Sequence, residues 1–314
     1  MNQMEFILGL VLLSVLIFGP VTGDINNQSS QQIPNVSSII TGPEVQIEGN
    51  QTLLKQEAEP ETAEEWNQKG NSLSDQGLYE DAILAYDRAI DLDPEIATYY
   101  RNCALALFNL GKYDKSLEFV KKALDISPRY FDAWNDKGRA YQKLGRYDEA
   151  ITAFDKVIEI DALRPYGHGN KADSLYYLGK YSEALPLVEK AIRLAPDIAY
   201  YWTLKGDILR ELGRYDDALV AYEEVLTIDP GSLYTYGNKG SVYRLSGRYQ
   251  DAIEMFEKQI SGSPNAWVWN EMGLALTSMG DYDEALDAYN QTLIIDPSNS
   301  FAKEKIEGLK KLLP

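Results

Sequence analysis

A short phrase recurs along this chain at a nearly fixed step. Gly77-Leu78-Tyr79-Glu80-Asp81-Ala82 gives its form: glycine, one residue, tyrosine, two polar residues and a small one. The Gly/Tyr pair returns at Gly111/Tyr113, Gly145/Tyr147, Gly179/Tyr181, Gly213/Tyr215, Gly247/Tyr249 and Gly280/Tyr282. The step is 34 residues five times and then 33. A fixed step in that range marks a solenoid, in which a unit too small to bury its own apolar face buries it against the next. This constraint governs everything from about residue 62 onward.

Counting Ala63 as position 1 of the first unit, other positions follow the same step. Position 4 is Trp66, Tyr100, Trp134, His168, Trp202, Tyr236 and Trp269. Position 8 is glycine or alanine, and position 20 is alanine except for Ser116. Position 24 is Tyr86, Val120, Phe154, Val188, Tyr222, Phe256 and Tyr289. Position 32 is proline in six units, and in the third it is Ala162. Large and small residues four apart fall on one helical face. Glycine at position 15 can end the first helix in the left-handed conformation. Proline at position 32 is expected to break the second. Each unit therefore reads as two antiparallel helices.

This large–small–large order resembles the tetratricopeptide repeat. The resemblance spans seven units: 63–96, 97–130, 131–164, 165–198, 199–232, 233–265 and 266–299. It implies an all-α, right-handed superhelical solenoid of helix-turn-helix repeats. A C-terminal capping helix is expected over 300–314, where Ala302, Ile306, Leu309 and Leu313 share one face. At the other end, Thr62 and Glu65 fit a capping box that starts the first helix. Unit four departs from its siblings with Gly167 and Gly169 early in its first helix, and unit six carries Gly237. These predict local fraying, or room for something close to the backbone.

The segment before the repeats has a different composition. Residues 6–18 are an unbroken apolar run, followed by Pro20 and Gly23. That length suits a signal-peptide core, so residues 1–23 are expected to direct export as a cleaved signal or a retained membrane anchor. Residues 24–62 are rich in Asn, Gln, Ser and Thr and read as a disordered polar stalk. The expected location is extracytoplasmic, secreted or anchored. Export would permit N-glycosylation at Asn27, Asn35, Asn50 and Asn290, each in an Asn-X-Ser/Thr sequon.

The formal net charge is −18. An acidic surface argues against nucleic acid, which needs a basic footprint, and against anionic lipid heads. The membrane is thus expected to be met only through residues 1–23. The chain holds one cysteine, Cys103, and one histidine, His168, almost two units apart at packing positions. They form neither a nucleophile–base pair nor a usual zinc site. No catalytic constellation, metal site or cofactor is expected, and the chain reads as a non-enzyme.

In the tetratricopeptide family the first helices line a concave face, with positions 2, 5, 6, 9, 12 and 13 turned into it. The resemblance places Asn67, Asn102, Asn135, Asn170, Asn238 and Asn270 there, with Tyr166, Tyr200, Tyr234 and Trp267 at position 2 of the last four units. An amide can pair with both groups of an extended peptide backbone. The row is similar to the asparagine ladder of the O-linked N-acetylglucosamine transferases, whose catalytic domain is absent here. Asparagine as a tolerated polar filler is the alternative. The basic clamp of chaperone-tail co-chaperones does not fit, since Asp132 and Asp136 stand where Lys and Arg are required. The expected function is an exported interaction scaffold binding an extended peptide segment of a partner protein in the groove. Carbohydrate binding and self-assembly are the alternatives.

Overall fold

A computed structural model describes residues 60–311. The predicted export segment, nearly all of the stalk, three of the sequons and Leu313 lie outside these residues. The described part is all α-helix, in consecutive antiparallel pairs. The pairs are α1 (Ala63–Asp75) with α2 (Tyr79–Leu92), α3 (Ala97–Asn109) with α4 (Tyr113–Ile126), and α5 (Phe131–Lys143) with α6 (Tyr147–Ile160). Next come α7 (Pro165–Tyr177) with α8 (Tyr181–Leu194), and α9 (Ala199–Glu211) with α10 (Tyr215–Ile228). The last are α11 (Leu233–Leu245) with α12 (Tyr249–Ile260), and α13 (Ala266–Met279) with α14 (Tyr282–Ile295), and α15 (Ser300–Leu309) closes the stack.

Every second helix begins at the recurring tyrosine. The glycine two residues before it has φ between 71° and 91° in all seven units, the left-handed turn that the phrase requires. Thr62 accepts from the Glu65 amide at 3.2 Å and Glu65 accepts from the Thr62 amide at 3.0 Å, a complete capping box. The proline at position 32 matters less than its recurrence suggests. The third unit lacks it, yet α6 ends at the same point, with the Asp161 amide still bonded to the Val157 carbonyl.

The core is set by a trade of volume inside each unit. A Cβ added at Gly70 would lie 2.5 Å from the Tyr86 ring, and one at Gly206 or Gly240 as close to Tyr222 or Phe256. Gly138 faces Phe154, and Gly273 faces Tyr289, in the same way. In the two units where position 8 is alanine, Ala104 and Ala172, position 24 is the smaller Val120 and Val188. The sum of the two volumes is held nearly constant, as close packing demands.

The early glycines of unit four do not fray. Gly167, His168 and Gly169 are all buried within a continuous α7. Gly167 lies against Val157 and Ile158 of the preceding helix, and Gly169 lies under the Tyr201 ring of the following unit. The room that these glycines make is already filled by this chain. At the far end Ala302, Ile306 and Leu309 join the core formed by Ala285 and Tyr289, and Phe301 meets Tyr289 edge-on at 6.3 Å.

Candidate functional site

The first helix of each unit packs against the first helix of the next, α1 on α3, α3 on α5 and so on to α13. Closer approach of the first helices places them on the inner side of the curve. Positions 5 and 6 bond to each other across the first three of these junctions. Asn102 Nδ2 donates to Asn67 Oδ1 at 2.9 Å, and Asn170 Nδ2 donates to Asn135 Oδ1 at 2.9 Å. Between these two amide pairs the same positions hold charge: Arg101 Nε donates to Asp136 Oδ2 at 2.8 Å. Asp136 is buried, and burial pushes its carboxyl above the usual range even though Arg101 and Arg139 pull it down.

The asparagine row is thus spent largely on the stack itself. Asn67 is buried, and Asn102 reaches both Asn67 and Asn71. Asn270 Oδ1 accepts from the Thr292 hydroxyl at 3.0 Å. Asn238 is part-exposed and has no side-chain hydrogen bond among the described residues. The position 2 aromatics divide in two. Tyr200 and Tyr234 stand out, 47% and 50% exposed. Tyr166 and Trp267 are tucked in, with the hydroxyl and the indole nitrogen buried and unpartnered among the described residues. Asn290 is exposed on α14.

The two residues set aside as packing behave as such. His168 Nε2 meets the Ala162 carbonyl at 2.9 Å, the bond that Trp134 and Trp202 make to the Pro128 and Pro196 carbonyls. The imidazole therefore replaces the indole atom for atom at that contact. Cys103 is fully buried where most other units carry lysine, and burial pushes its thiol up to about 12. Among the described residues, no three His, Cys, Asp or Glu side chains come together as metal ligands. No described helix is long and apolar enough to cross a membrane.

Two features escaped the sequence reading, one on the inner face and one in the core. Asp207 is held by Arg210 at 3.1 Å and by the Tyr222 hydroxyl at 2.8 Å. Asp173 is the same position one unit earlier, but Tyr176 and Val188 replace those partners. It receives Gln142 Nε2 at 2.9 Å instead, and the Tyr200 hydroxyl faces it. Burial pushes the Asp173 carboxyl up to about 6, Asp207 adds to the rise, and Tyr200 and Gln142 oppose it. The second feature is Gln259, fully buried with neither amide atom bonded among the described residues. Its carbonyl lies over Gly237, beside the Trp267 ring.

Comparison with known proteins agrees with this architecture. Tetratricopeptide repeat family models match residues 129–197, 170–232, 235–265 and 266–299, together more than half of the chain. The chain is a tetratricopeptide repeat protein. A further family model, anaphase-promoting complex, cyclosome, subunit 3, matches residues 75–157. A tetratricopeptide repeat protein from Parabacteroides merdae superposes with a TM-score of 0.64 at 15% identity, over 79% of this chain and 98% of that one. The APC/C hetero-tetramer Cut9-Hcn1 gives 0.63 at 16% identity, over 76% of this chain and 48% of that one. This tetratricopeptide chain thus spans about half the length of that relative, and both likenesses concern fold alone. YrrB, described as a TPR protein with an unusual peptide-binding site, gives 0.51 at 26% identity, over 62% of this chain and 98% of that one. No curated protein matches the sequence. Tetratricopeptide arrays are in general non-enzymatic scaffolds that hold protein partners, and the repeats of this chain form a protein-interaction scaffold.

Proposed function

We propose that this tetratricopeptide protein binds an extended segment of a partner protein along its inner face, and that it does so outside the cytoplasm. The observation that carries the groove reading is the state of units four to six. Tyr177, Tyr200 and Tyr234 are exposed there, and Asn238 keeps both its amide groups available. Exposed tyrosines offer apolar contact with little rotamer entropy to lose, and a free amide can pair with peptide backbone. The peptide-binding site described for YrrB supports the same reading. Units one to three are less suited, because their inner amides and Asp136 are already paired. Export rests on the apolar run at residues 6–18, and processing at or near Gly23 is read by the N-terminal mass of the mature chain.

The experiment is capture from the envelope fraction of the source cell, with the full chain as bait. Beside it runs a bait carrying Tyr234→Ala and Asn238→Ala. Neither side chain makes a hydrogen bond or ion pair among the described residues, and Tyr234 is 50% exposed, so folding is expected to be unchanged by circular dichroism. A protein retained by the native bait and lost by the variant supports groove binding. Equal retention by both moves the interface to another face. Retention of a glycan by both baits, in place of a protein, favours the carbohydrate reading.

A further inference from the structure

The inner face holds several carboxylates, and their partners differ in kind. Asp136 has Arg101 and Arg139, Asp207 has Arg210, and Glu271 has Arg244 at 2.9 Å. Asp173 makes no ion pair among the described residues. Its hydrogen bonds come from a neutral amide and a phenol, and Lys143 acts on it only weakly and at longer range. A carboxylate withdrawn from water without a cation is costly unless something supplies the missing charge.

The surroundings of Asp173 are aromatic. Tyr147 and Tyr177 stack with ring centroids 5.1 Å apart and planes 11° from parallel. Both rings, and that of Tyr200, sit within electrostatic reach of the Asp173 carboxylate. Tyr177 and Tyr200 are 38% and 47% exposed, so this patch opens to solvent on the inner face. Aromatic faces attract cations, and they favour arginine in particular because a guanidinium stacks on a ring while its N–H groups reach a carboxylate.

We infer that Asp173, walled by Tyr147, Tyr177 and Tyr200, is the subsite for one basic side chain, arginine or lysine, of the segment bound in the groove. This rests on the groove reading and adds the chemistry of one contact to it. The occupant supplies the charge that Arg210 supplies to Asp207 in the next unit. The raised carboxyl of Asp173 is then the apo state of a site completed by its ligand. A formal charge of −18 on the whole chain favours basic partners in the same sense.

The test has two arms on the full chain. In the first, 3-fluorotyrosine is placed at position 177, and its fluorine resonance is followed as Nα-acetyl-arginine methylamide or Nα-acetyl-norleucine methylamide is added. The resonance is expected to move with the arginine derivative alone and to stay still in Asp173→Asn, which keeps the Gln142 hydrogen bond and the side-chain shape. Should that variant misfold, Tyr200→Leu, at an exposed ring, is expected to weaken the response instead. Movement with norleucine, or an unchanged response in a folded Asp173→Asn chain, overturns the subsite. In the second arm, twelve-residue peptides on an array carry arginine, lysine, acetyl-lysine or norleucine at one place. Basic peptides are expected to be retained about tenfold better, the gain of a charge-assisted contact, and that preference is expected to vanish in Asp173→Asn. Retention with no basic preference overturns the subsite and leaves the groove reading standing. A fluorine response with no peptide retained keeps the subsite and removes the groove reading.

Discussion

Asn102 and Asn67 bind amide to amide across two successive first helices, and the next junction repeats the contact as an ion pair between Arg101 and Asp136. The inner face is therefore a ladder of inter-unit bonds before it is anything else. Its rungs should be separable by stability. Asn102→Ala removes one ordinary hydrogen bond and is expected to cost about 0.5–1.5 kcal/mol. Arg101→Ala leaves the buried Asp136 carboxylate with only Arg139, at 3.6 Å, and is expected to cost about 2–3 kcal/mol. Urea unfolding of the two variants reads both, and equal losses would deny that the rungs differ in kind.

The volume trade between positions 8 and 24 predicts a compensating pair. Gly138→Ala drives a methyl group into the Phe154 ring and is expected to cost about 1–3 kcal/mol. Adding Phe154→Val reproduces the Ala104/Val120 arrangement of the neighbouring unit and should recover most of that loss. A double-mutant cycle in thermal unfolding measures the coupling. Simple additivity of the two losses would mean that the pairing is incidental.

Gln259 occupies a place that the other units give to Ala89, Ala123, Val157, Ala191, Val225 and Thr292. Its amide is buried without partners among the described residues. Gln259→Val matches Val157 and Val225 and removes an unmet hydrogen-bonding demand. It is expected to raise stability by about 1–3 kcal/mol, seen as a higher melting temperature. A fall in melting temperature would show that the glutamine amide is satisfied in solution.

Much of the fold is written in positions that repeat. The left-handed glycine, the tyrosine at the helix start and the capping box at Thr62 each act within a few residues, so their spacing alone places them. Gly167 and Gly169 read as a weak helix in the sequence because the side chains that cover them come from other helices. Tyr201, which covers Gly169, is 32 residues away, and no local propensity reports it. The asparagine row is visible as a pattern, but its use is not. Positions 5 and 6 have to be placed on facing helices before Asn102 can be seen to bond Asn67. The singularity of Asp173 is legible in principle. Comparing Asp173 and Tyr176 with Asp207 and Arg210 one step later exposes the missing arginine, but only once position 12 is known to reach position 9.

The pH dependence of stability follows from the same carboxylate. Asp173 has a folded pKa of about 6, above its usual value of 3.8, so the folded state binds its proton more tightly than the unfolded state does. The stability that this preference contributes is present in full below about pH 4 and is lost as pH rises through about 6. Asp207, Lys143, Tyr147, Tyr177 and Tyr200 act on the group, and burial also raises the Asp207 carboxyl, so it is the comparison with Asp173→Asn that assigns the change to Asp173. Asp173→Asn is expected to flatten this part of the stability profile and to raise stability at pH 7 by about 1–3 kcal/mol. Chemical denaturation at pH 4, 5, 6 and 7 checks it. A profile identical to that of the native chain would place the titration elsewhere.

The most direct test of the scaffold's working face is a photo-crosslinker at two sites in the full chain, expressed in its own cell. One site replaces Tyr234, exposed on the inner face, and the other replaces Val220, 63% exposed on a second helix. Irradiation is expected to join a partner protein at position 234 and nothing specific at 220. A partner joined at 220 and absent at 234 would contradict it, and would move the binding surface to the second helices.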